Sequence, residues 1–240
     1  MPDEPEPNVD RDDADLPEAS AVEKADVDLG QKMASHRDDP LVKAAGYAGK
    51  LGDQAPLYAL SAGLLIVGLA SRDRRLAGSG ISMMAALGVA DLSKRFTKRL
   101  VSRTRPHVLL DDGCYESDAG GSDEKPEQSF PSGHMAGSVA VARALSRNYP
   151  QAGAAAGVAA VAIGASRVAK GAHWPLDIAG GAVIGLAAEA VTAAVLRWGT
   201  ASMGAYIHGV SRDDRRFCRW PGLRLTCATA TIRSRWRSAV

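Results

Sequence analysis

The sequence predicts an all-α fold, a membrane-embedded helical bundle of about five core helices. Five apolar runs rich in alanine and glycine stand out in a chain of 240 residues that is 46% hydrophobic. They lack the alternation of apolar and polar residues that is typical of strands, so helices are expected. Their many small residues suit close packing of helices in lipid. The runs are 56–70, 76–90, 135–145, 152–165 and 178–196.

A soluble all-α bundle is the alternative fold, because a membrane span needs about 20 apolar residues. Only the run 178–196 approaches that length. The short connections between runs carry arginines, as cytoplasmic loops do, and this favours the membrane. Glu189 and Arg143 lie inside apolar runs. A charge that faces lipid is costly, so both side chains are expected to face the bundle interior or a partner.

Charge divides the chain into three parts. Residues 1–40 contain thirteen Asp and Glu against four Lys and Arg, which predicts a disordered acidic N-terminal tail. Residues 41–198 form the predicted helical domain, and residues 199–240 form a basic, arginine-rich tail. That tail leaves open a different function, a non-catalytic scaffold that binds anionic lipid or nucleic acid. Attraction to lipid is the simpler explanation, and no nucleic acid partner is expected.

The distribution of charge also predicts an orientation. The first ten residues, MPDEPEPNVD, lack the basic and apolar regions of a secretory signal. If all five runs cross the membrane, the turn 72–75, Arg147 and the C-terminal tail share one face, and their arginines predict that this face is cytoplasmic. The loops 91–130 and 166–177 then face outward. We therefore expect a multi-pass protein of the cell (inner) membrane with its site on the outer, periplasmic side.

Two stretches offer groups that can bind anions. In KRLVSRTRP, Lys98 and Arg105 are seven residues apart, so one helix that ends at the following proline would project both from one face. In FPSGH, Ser132 and Gly133 are expected at a helix start, where free backbone N–H groups attract anions, and His134 lies beside them. Each stretch alone also fits a bland alternative, a solvated basic helix end or a structural histidine.

A third stretch, SRVAKGAHWPLD, combines a histidine, an aspartate and an arginine. Pro175 marks a first helical turn, so Asp177 lies one turn beyond His173 and within reach of its imidazole. A carboxylate in that position fixes the tautomer of the ring and leaves the other nitrogen free to attack. Arg167 adds a planar fork suited to bidentate phosphate binding. The three stretches together predict a site for a phosphate group.

The order and spacing of these residues resemble the three-part signature of the type 2 phosphatidic acid phosphatases. Every position is matched, and the resemblance covers about residues 57–198. The matching residues are Lys98 with Arg105-Pro106, then PSGH at 131–134, then Ser166-Arg167 with His173 and Asp177. The resemblance implies that the three cations Lys98, Arg105 and Arg167 hold the phosphate, helped by the backbone of Ser132 and Gly133.

The resemblance also implies a mechanism. His173 is the implied nucleophile, which forms a phosphohistidine and is oriented by Asp177, while His134 protonates the leaving oxygen and then helps to activate water. Three fixed cations can stabilise phosphoryl transfer, and no Asp, Glu and His cluster has metal-ligand spacing. Neither a metal nor another cofactor is therefore expected. The predicted partners are membrane lipids and a lipid phosphate substrate.

The branch of the family that fits best is the membrane-embedded lipid phosphatases. Candidate substrates are an isoprenyl diphosphate such as undecaprenyl diphosphate, phosphatidate, and phosphatidylglycerol phosphate. Soluble acid phosphatases and vanadium-dependent haloperoxidases share the fold and the signature, and they remain alternatives. The acidic loop 107–129 is either a lid that selects substrates or a solvated loop.

Overall fold

The computed structural model describes residues 20–217 of the chain, with side chains described to residue 199 and at residue 202. One compact unit extends to Val195, and a second begins at Leu196. The helices are α1 (Ala21–Ala34), α2 (Pro40–Ala48), α3 (Gln54–Ala70), α4 (Arg74–Lys98), α5 (Pro106–Asp112), α6 (Gly133–Ser146), α7 (Pro150–Ala169) and α8 (Pro175–Phe217). Strands β1 (Val101–Arg103) and β2 (Ser117–Ala119) pair antiparallel, with Val101 opposite Ala119. Two 3-10 turns cover Gly49–Gly52 and Lys125–Glu127.

The prediction of a helical bundle is confirmed, because each of the five apolar runs lies in one of the helices α3, α4, α6, α7 and α8. Three helical segments in the described part of the chain are long and apolar enough to cross a membrane: Arg74–Lys98, Pro150–Ala169 and Pro175–Gly199. A fourth span results if the segments Pro40–Gly52 and Gln54–Ala70, which meet at a bend of 50°, are counted as one. Helix α6, with 14 residues, is shorter than these and is mostly buried.

The core of the bundle lies where α3, α4, α6 and α8 meet. Its buried side chains are Leu57, Met83, Ala86, Leu87, Ala90, Ala140, Val141, Ala144 and Ala188. Helix α8 packs closely on α6 because it presents glycines there. A Cβ atom on Gly181 would come within 2.5 Å of the Ser132 carbonyl oxygen, and one on Gly185 within 2.5 Å of the Ala136 carbonyl oxygen. This is the small-residue packing expected of helices in lipid.

Large apolar side chains cover the outer faces of the spanning helices. Exposed examples on α3, α7 and α8 are Leu60, Ile66, Val67, Leu69, Val158, Val161, Val183, Leu186, Val191 and Val195. Of the two charged residues in these runs, Glu189 faces the interior as the sequence predicted, whereas Arg143 is exposed. Glu189 is buried and accepts hydrogen bonds from Arg147 through both carboxylate oxygens, one of them at 3.0 Å from Nη2. Arg143 Nε lies 4.0 Å from the same carboxylate.

The structure differs from the expected disordered tail over residues 20–40, because α1 and the start of α2 lie there. Ser20 caps α1 by accepting a hydrogen bond from the Glu23 amide at 3.2 Å. One side of α1, with Asp26, Val27, Gly30 and Ala34, is buried, while other acids of the segment, such as Asp28, are exposed. A count of charges averages over both sides and so misses the buried stripe. Residues 1–19 and 218–240, with the remainder of both predicted tails, lie outside the described residues.

The helix that was expected to carry both Lys98 and Arg105 also differs. Helix α4 ends at Lys98, the chain then forms β1, and Arg105 is the N-cap of α5. Pro106 therefore begins a helix and does not end one, which agrees with the preference of proline for the first helical position. The acidic loop that follows is folded, with α5, β2 and a 3-10 turn, and Gln128 and Ser129 at its end reach the interior of the site.

Candidate active site

Three cations converge at one end of the bundle. Lys98 ends α4, and its Nζ donates a hydrogen bond to the Gln128 carbonyl oxygen at 2.5 Å. Arg105 Nη2 donates to the same oxygen at 3.4 Å. Arg167 comes from the last turn of α7. Burial lowers the pKa of Arg105, and the neighbouring positive charge of Arg167 lowers it further. The two guanidinium groups therefore repel each other inside the protein.

Several polar atoms of this region have no partner within the protein. The described residues contain six buried side-chain nitrogen or oxygen atoms without a hydrogen bond, and Arg105 Nε, Ser132 Oγ and Arg167 Nε are three of them. All three can donate a hydrogen bond. Buried donors are normally satisfied, so a group of unpaired donors beside three cations is the arrangement expected of an anion site.

The PSGH stretch forms the start of α6, as predicted, but its backbone is used differently. Ser132 is the N-cap residue, and its amide donates to the Asp177 carbonyl oxygen at 3.0 Å. The Ser132 N–H is therefore not free for phosphate, and its unpaired Oγ is the group available. Gly133 lies under the side chain of Lys94, because a Cβ atom there would come within 2.7 Å of Lys94 Cδ. Lys94 is a further basic residue at this helix start, and it pairs with Asp91 at 2.6 Å.

His173 is buried in the loop between α7 and α8. Its Nδ1 lies 2.8 Å from the Ser129 carbonyl oxygen, which can only accept a hydrogen bond. Nδ1 therefore carries the proton, and Nε2 keeps its lone pair. The expected direct hydrogen bond from the imidazole to Asp177 is absent, since Asp177 Oδ2 lies 3.7 Å from Nδ1. Burial lowers the pKa of His173, Asp177 opposes that change, and the charges of Arg105 and Arg167 add to it.

Asp177 is held by several groups other than the imidazole. Its Oδ2 accepts hydrogen bonds from Ser129 Oγ at 2.5 Å and from the Trp174 amide at 2.8 Å. Its Oδ1 accepts from Arg103 Nη1 at 3.0 Å. The negative charge thus has a fixed position in the first turn of α8, close to the edge of the His173 ring that bears the Nδ1 proton. It is placed to stabilise a positive charge on that ring without bonding to it directly.

His134, at the start of α6, has an acidic neighbour that the sequence did not suggest. Its Nε2 lies 2.6 Å from Asp53 Oδ1, at the N-terminus of α3. Burial lowers the pKa of His134 to about 4, Arg167 contributes to the lowering, and Asp53 opposes it. The effect of Arg167 and His173 on this pKa shows that His134 borders the same group of charges.

The structure brings together the eight site residues predicted from the sequence. The Gln128 carbonyl oxygen accepts hydrogen bonds from both Lys98 and Arg105. The next residue, Ser129, accepts one from His173, and the Ser132 amide donates one to the Asp177 carbonyl oxygen. Sequence reasoning missed Ser129, Asp53 and the bridging role of Arg103, since none has a signal in spacing. Within the described residues, no group of three or more His, Cys, Asp or Glu is placed to hold a metal ion. Independence from metals and cofactors stays a prediction.

Comparisons with known proteins identify the family of this chain. The family model of the PAP2 superfamily matches residues 79–201, more than half of the chain. No curated protein matches the sequence. Among solved structures, the crystal structure of Aquifex aeolicus LpxE is similar at 24% identity with a TM-score of 0.49, and the match covers 69% of this chain and 93% of that one.

A second similar structure is the first transmembrane PAP2 type phosphatidylglycerolphosphate phosphatase from Bacillus subtilis. Its identity to this chain is 24% and the TM-score is 0.54, over 77% of this chain and 90% of the other. The matched fold is thus that of a helical membrane protein, in agreement with the three spanning helices. With its three-part signature assembled into one site and the family model matched over that region, the chain belongs to the PAP2 superfamily.

Proposed function

We propose that this chain is a metal-independent phosphatase that hydrolyses a phosphomonoester or diphosphate of a membrane lipid through a phosphohistidine intermediate. The observation that supports it best is the geometry around His173. The Nδ1 proton of the imidazole is donated to a carbonyl oxygen, so Nε2 keeps its lone pair, and the charges of Arg105 and Arg167, each with an unpaired Nε, act on the ring. Membership of the PAP2 superfamily supports a phosphatase in particular.

In the proposed first step, His173 Nε2 attacks phosphorus while the bond to the leaving oxygen breaks, which is the ester bond of a phosphomonoester or the anhydride bond of a diphosphate. Lys98, Arg105 and Arg167 stabilise the charge on the phosphoryl oxygens, and Ser132 Oγ donates a hydrogen bond to one of them. The ring becomes cationic as the P–N bond forms, and Asp177, 3.7 Å from Nδ1, stabilises that charge. His134 gives its proton to the leaving oxygen.

In the second step, neutral His134 takes a proton from a water molecule, whose oxygen attacks phosphorus as the P–N bond breaks. Inorganic phosphate leaves and both histidines regain their starting states. Asp53, 2.6 Å from His134 Nε2, favours the protonated form of that ring, which burial and Arg167 disfavour. This carboxylate thereby helps to supply the acid that the first step needs.

A lipid substrate is supported by the position of the site along the spanning helices. Lys98 is the last residue of α4, Arg167 lies in the last turn of α7, and Asp177 lies in the first turn of α8. All three are at ends of candidate spans, where a lipid headgroup meets water. The tail of the substrate can then stay among the apolar outer faces. A location in the cell membrane and a site facing its outer side remain predictions.

The test is phosphate release in detergent with EDTA present. Undecaprenyl diphosphate, phosphatidate and phosphatidylglycerol phosphate are compared as substrates. The native protein is expected to release phosphate, while His173→Ala reduces the rate by at least about 10⁴-fold, as loss of a nucleophile does. The matched control is His36→Ala, which removes an exposed histidine from outside the site. Release that requires a divalent metal ion would contradict the proposal, as would full activity of the His173 variant.

A chemical trap tests the intermediate separately. Labelled substrate is mixed with enzyme, the reaction is quenched within one turnover, and the stability of the bound phosphate is measured. A phosphohistidine is labile to acid and stable to base, whereas a phosphoserine is stable to acid. Acid-stable label would contradict attack by His173.

A further inference from the structure

Helix α1 contacts residues that adjoin Asp177 of the candidate active site, although it lies outside the region that matches the family. The match begins at residue 79, and α1 covers Ala21–Ala34. Its Asp26 has a side chain that is only 3% exposed. A buried carboxylate is costly unless charged or hydrogen-bonding groups surround it. The partners of Asp26 therefore show what this helix is attached to.

Both carboxylate oxygens of Asp26 accept hydrogen bonds from groups next to the loop 170–174, which carries His173. Oδ1 accepts a hydrogen bond from the Leu176 amide at 2.8 Å. This amide belongs to the first turn of α8, where backbone N–H groups have no partner within their own helix. Oδ2 accepts from Arg103 Nη2 at 2.7 Å. Asp26 thus caps α8 from a separate helix and anchors an arginine at the same time.

That arginine connects α1 to Asp177. While Nη2 of Arg103 binds Asp26, Nη1 binds Asp177 Oδ1 at 3.0 Å, and Nε donates to the Tyr115 hydroxyl at 3.1 Å. Tyr115 in turn donates to Glu23 Oε1 at 2.5 Å, so α1 holds the cluster at two points. The Arg103 side chain is 7% exposed and that of Asp177 is fully buried. In a planar guanidinium, fixing Nη2 and Nε also fixes where Nη1 points.

Steric packing brings α1 to the same place. Gly30 lies against the ring of Trp174, because a Cβ atom on Gly30 would come within 2.4 Å of the ring. Trp174 is fully buried, and its indole nitrogen donates to the Thr104 carbonyl oxygen at 2.7 Å. It stands between His173 and the start of α8, and its amide binds Asp177. The position of α1 is therefore coupled to this part of the site by packing as well as by charge.

We propose that α1 is a positioning element of the active site, in which Asp26 holds Asp177 and the start of α8 in place through Arg103 and the Leu176 amide. The inference rests on the proposed function, because it concerns how the carboxylate beside the nucleophile is held. The hydrogen-bond partners of the Asp26 carboxylate are Arg103 and the Leu176 amide, and none of the three cations proposed to bind phosphate is among them. Its loss is therefore expected to disturb the position of His173 and Asp177 and to leave the cation cluster intact.

Kinetics of Asp26→Ala test this inference. A displacement of about 1 Å in a reacting group is enough to lower a rate by about 100-fold. We expect kcat to fall by about 10-fold to 100-fold while KM and inhibition by inorganic phosphate change less than about 2-fold. Asp26→Asn keeps an acceptor for the Leu176 amide and loses the ion pair, so its kcat is expected to be intermediate. Asp28→Ala, which removes an exposed acid from the same helix, is the matched control and keeps native kcat.

A second variant tests the packing of α1 without changing any charge. Gly30→Leu places a side chain where the Trp174 ring lies, so α1 has to move away from the loop that carries His173. It is expected to lower kcat in the same way, whereas Ala25→Leu, at an exposed position of α1, leaves it unchanged. Native kcat in both Asp26→Ala and Gly30→Leu would overturn the inference.

Hydrogen exchange of the same full-length proteins separates this inference from the proposed function. Loss of the Asp26 tether is expected to speed exchange of the amides at residues 172–178, while Asp28→Ala leaves them at native rates. If native protein hydrolyses no lipid phosphate and these amides still exchange faster in Asp26→Ala, the proposed function fails and the tether stands. Unchanged exchange in Asp26→Ala would overturn the tether whatever the activity of the native protein.

Discussion

Arg103 and Arg105 are two residues apart and lie at the same end of the bundle, yet their surroundings are opposite. Arg103 touches two buried carboxylates, those of Asp26 and Asp177, and a tyrosine hydroxyl. Arg105 has a carbonyl oxygen at 3.4 Å, an unpaired Nε and a second arginine nearby. Arg103 is buried and Arg105 is half-buried, and of the two only Arg103 forms ion pairs with carboxylates in the described residues.

The contrast separates two uses of a buried arginine. A guanidinium paired with carboxylates holds structure, because its desolvation is offset within the fold. A guanidinium without a carboxylate partner has no such offset, so a bound anion stabilises it more strongly. Two arginines in one short segment can therefore serve positioning and binding, and the partners of each side chain tell the two apart.

Removing Arg105 should have the largest effect on catalysis. Arg105→Ala is expected to lower kcat/KM by about 10³-fold to 10⁵-fold, the range for an arginine that stabilises phosphoryl transfer. Its unfolding temperature is expected to stay the same or rise, because repulsion from Arg167 disappears. Steady-state kinetics and thermal unfolding in detergent measure the two quantities. Arg99→Ala, at an exposed position, is the control. A large loss of stability in Arg105→Ala would contradict the contrast.

Removing Arg103 should instead act first on stability. Arg103→Ala leaves the buried carboxylates of Asp26 and Asp177 without their shared counter-charge. Breaking a buried ion pair from one side costs about 3–5 kcal/mol, so we expect the unfolding free energy to fall by about 3 kcal/mol. Denaturant unfolding in detergent measures it, again with Arg99→Ala as the control. If Arg103→Ala unfolds like the native protein, the carboxylates are not held as the structure indicates.

The smallest expected effect concerns the pH profile. The rate is expected to pass through a maximum, because His173 must be neutral to attack and His134 protonated to donate. Asp53 raises the His134 pKa against the lowering by burial and Arg167, so Asp53→Asn lowers that pKa further. A lower pKa means that the proton is lost at lower pH, and the alkaline limb of kcat/KM moves toward acid. Rates over a pH series measure the limb, and a shift toward alkali would contradict the role of Asp53.

Much of the fold and site could be predicted because the relevant signals are local. Apolar runs rich in small residues predicted the five core helices, and Pro175 predicted the start of α8 with Asp177 one turn beyond His173. Local signals also misled at one point, where Pro106 was expected to end a helix and in fact begins α5. Proline is compatible with either position, and only the path of β1 decides between them.

Long-range contacts could not be predicted in the same way. Asp26 and Arg103 are 77 positions apart, and Asp26 and Leu176 are 150 apart. In the sequence, Asp26 is one acid among thirteen in residues 1–40. Nothing in its neighbours distinguishes it from the exposed Asp28. Its burial follows from the side of α1 that packs on Trp174, and that choice is made when the helices assemble.

The sequence by itself determined the helical class of the protein, the order of its core helices and the residues proposed to carry phosphate chemistry, because periodicity, proline positions and motif spacing are local signals. The tertiary structure decided which partner each charged group has. It paired Nδ1 of His173 with the Ser129 carbonyl and Asp177 with Arg103, and it left Nε of Arg105 and Nε of Arg167 without a hydrogen bond. Such pairings depend on distances between segments far apart in the chain, and only the packed bundle sets those distances.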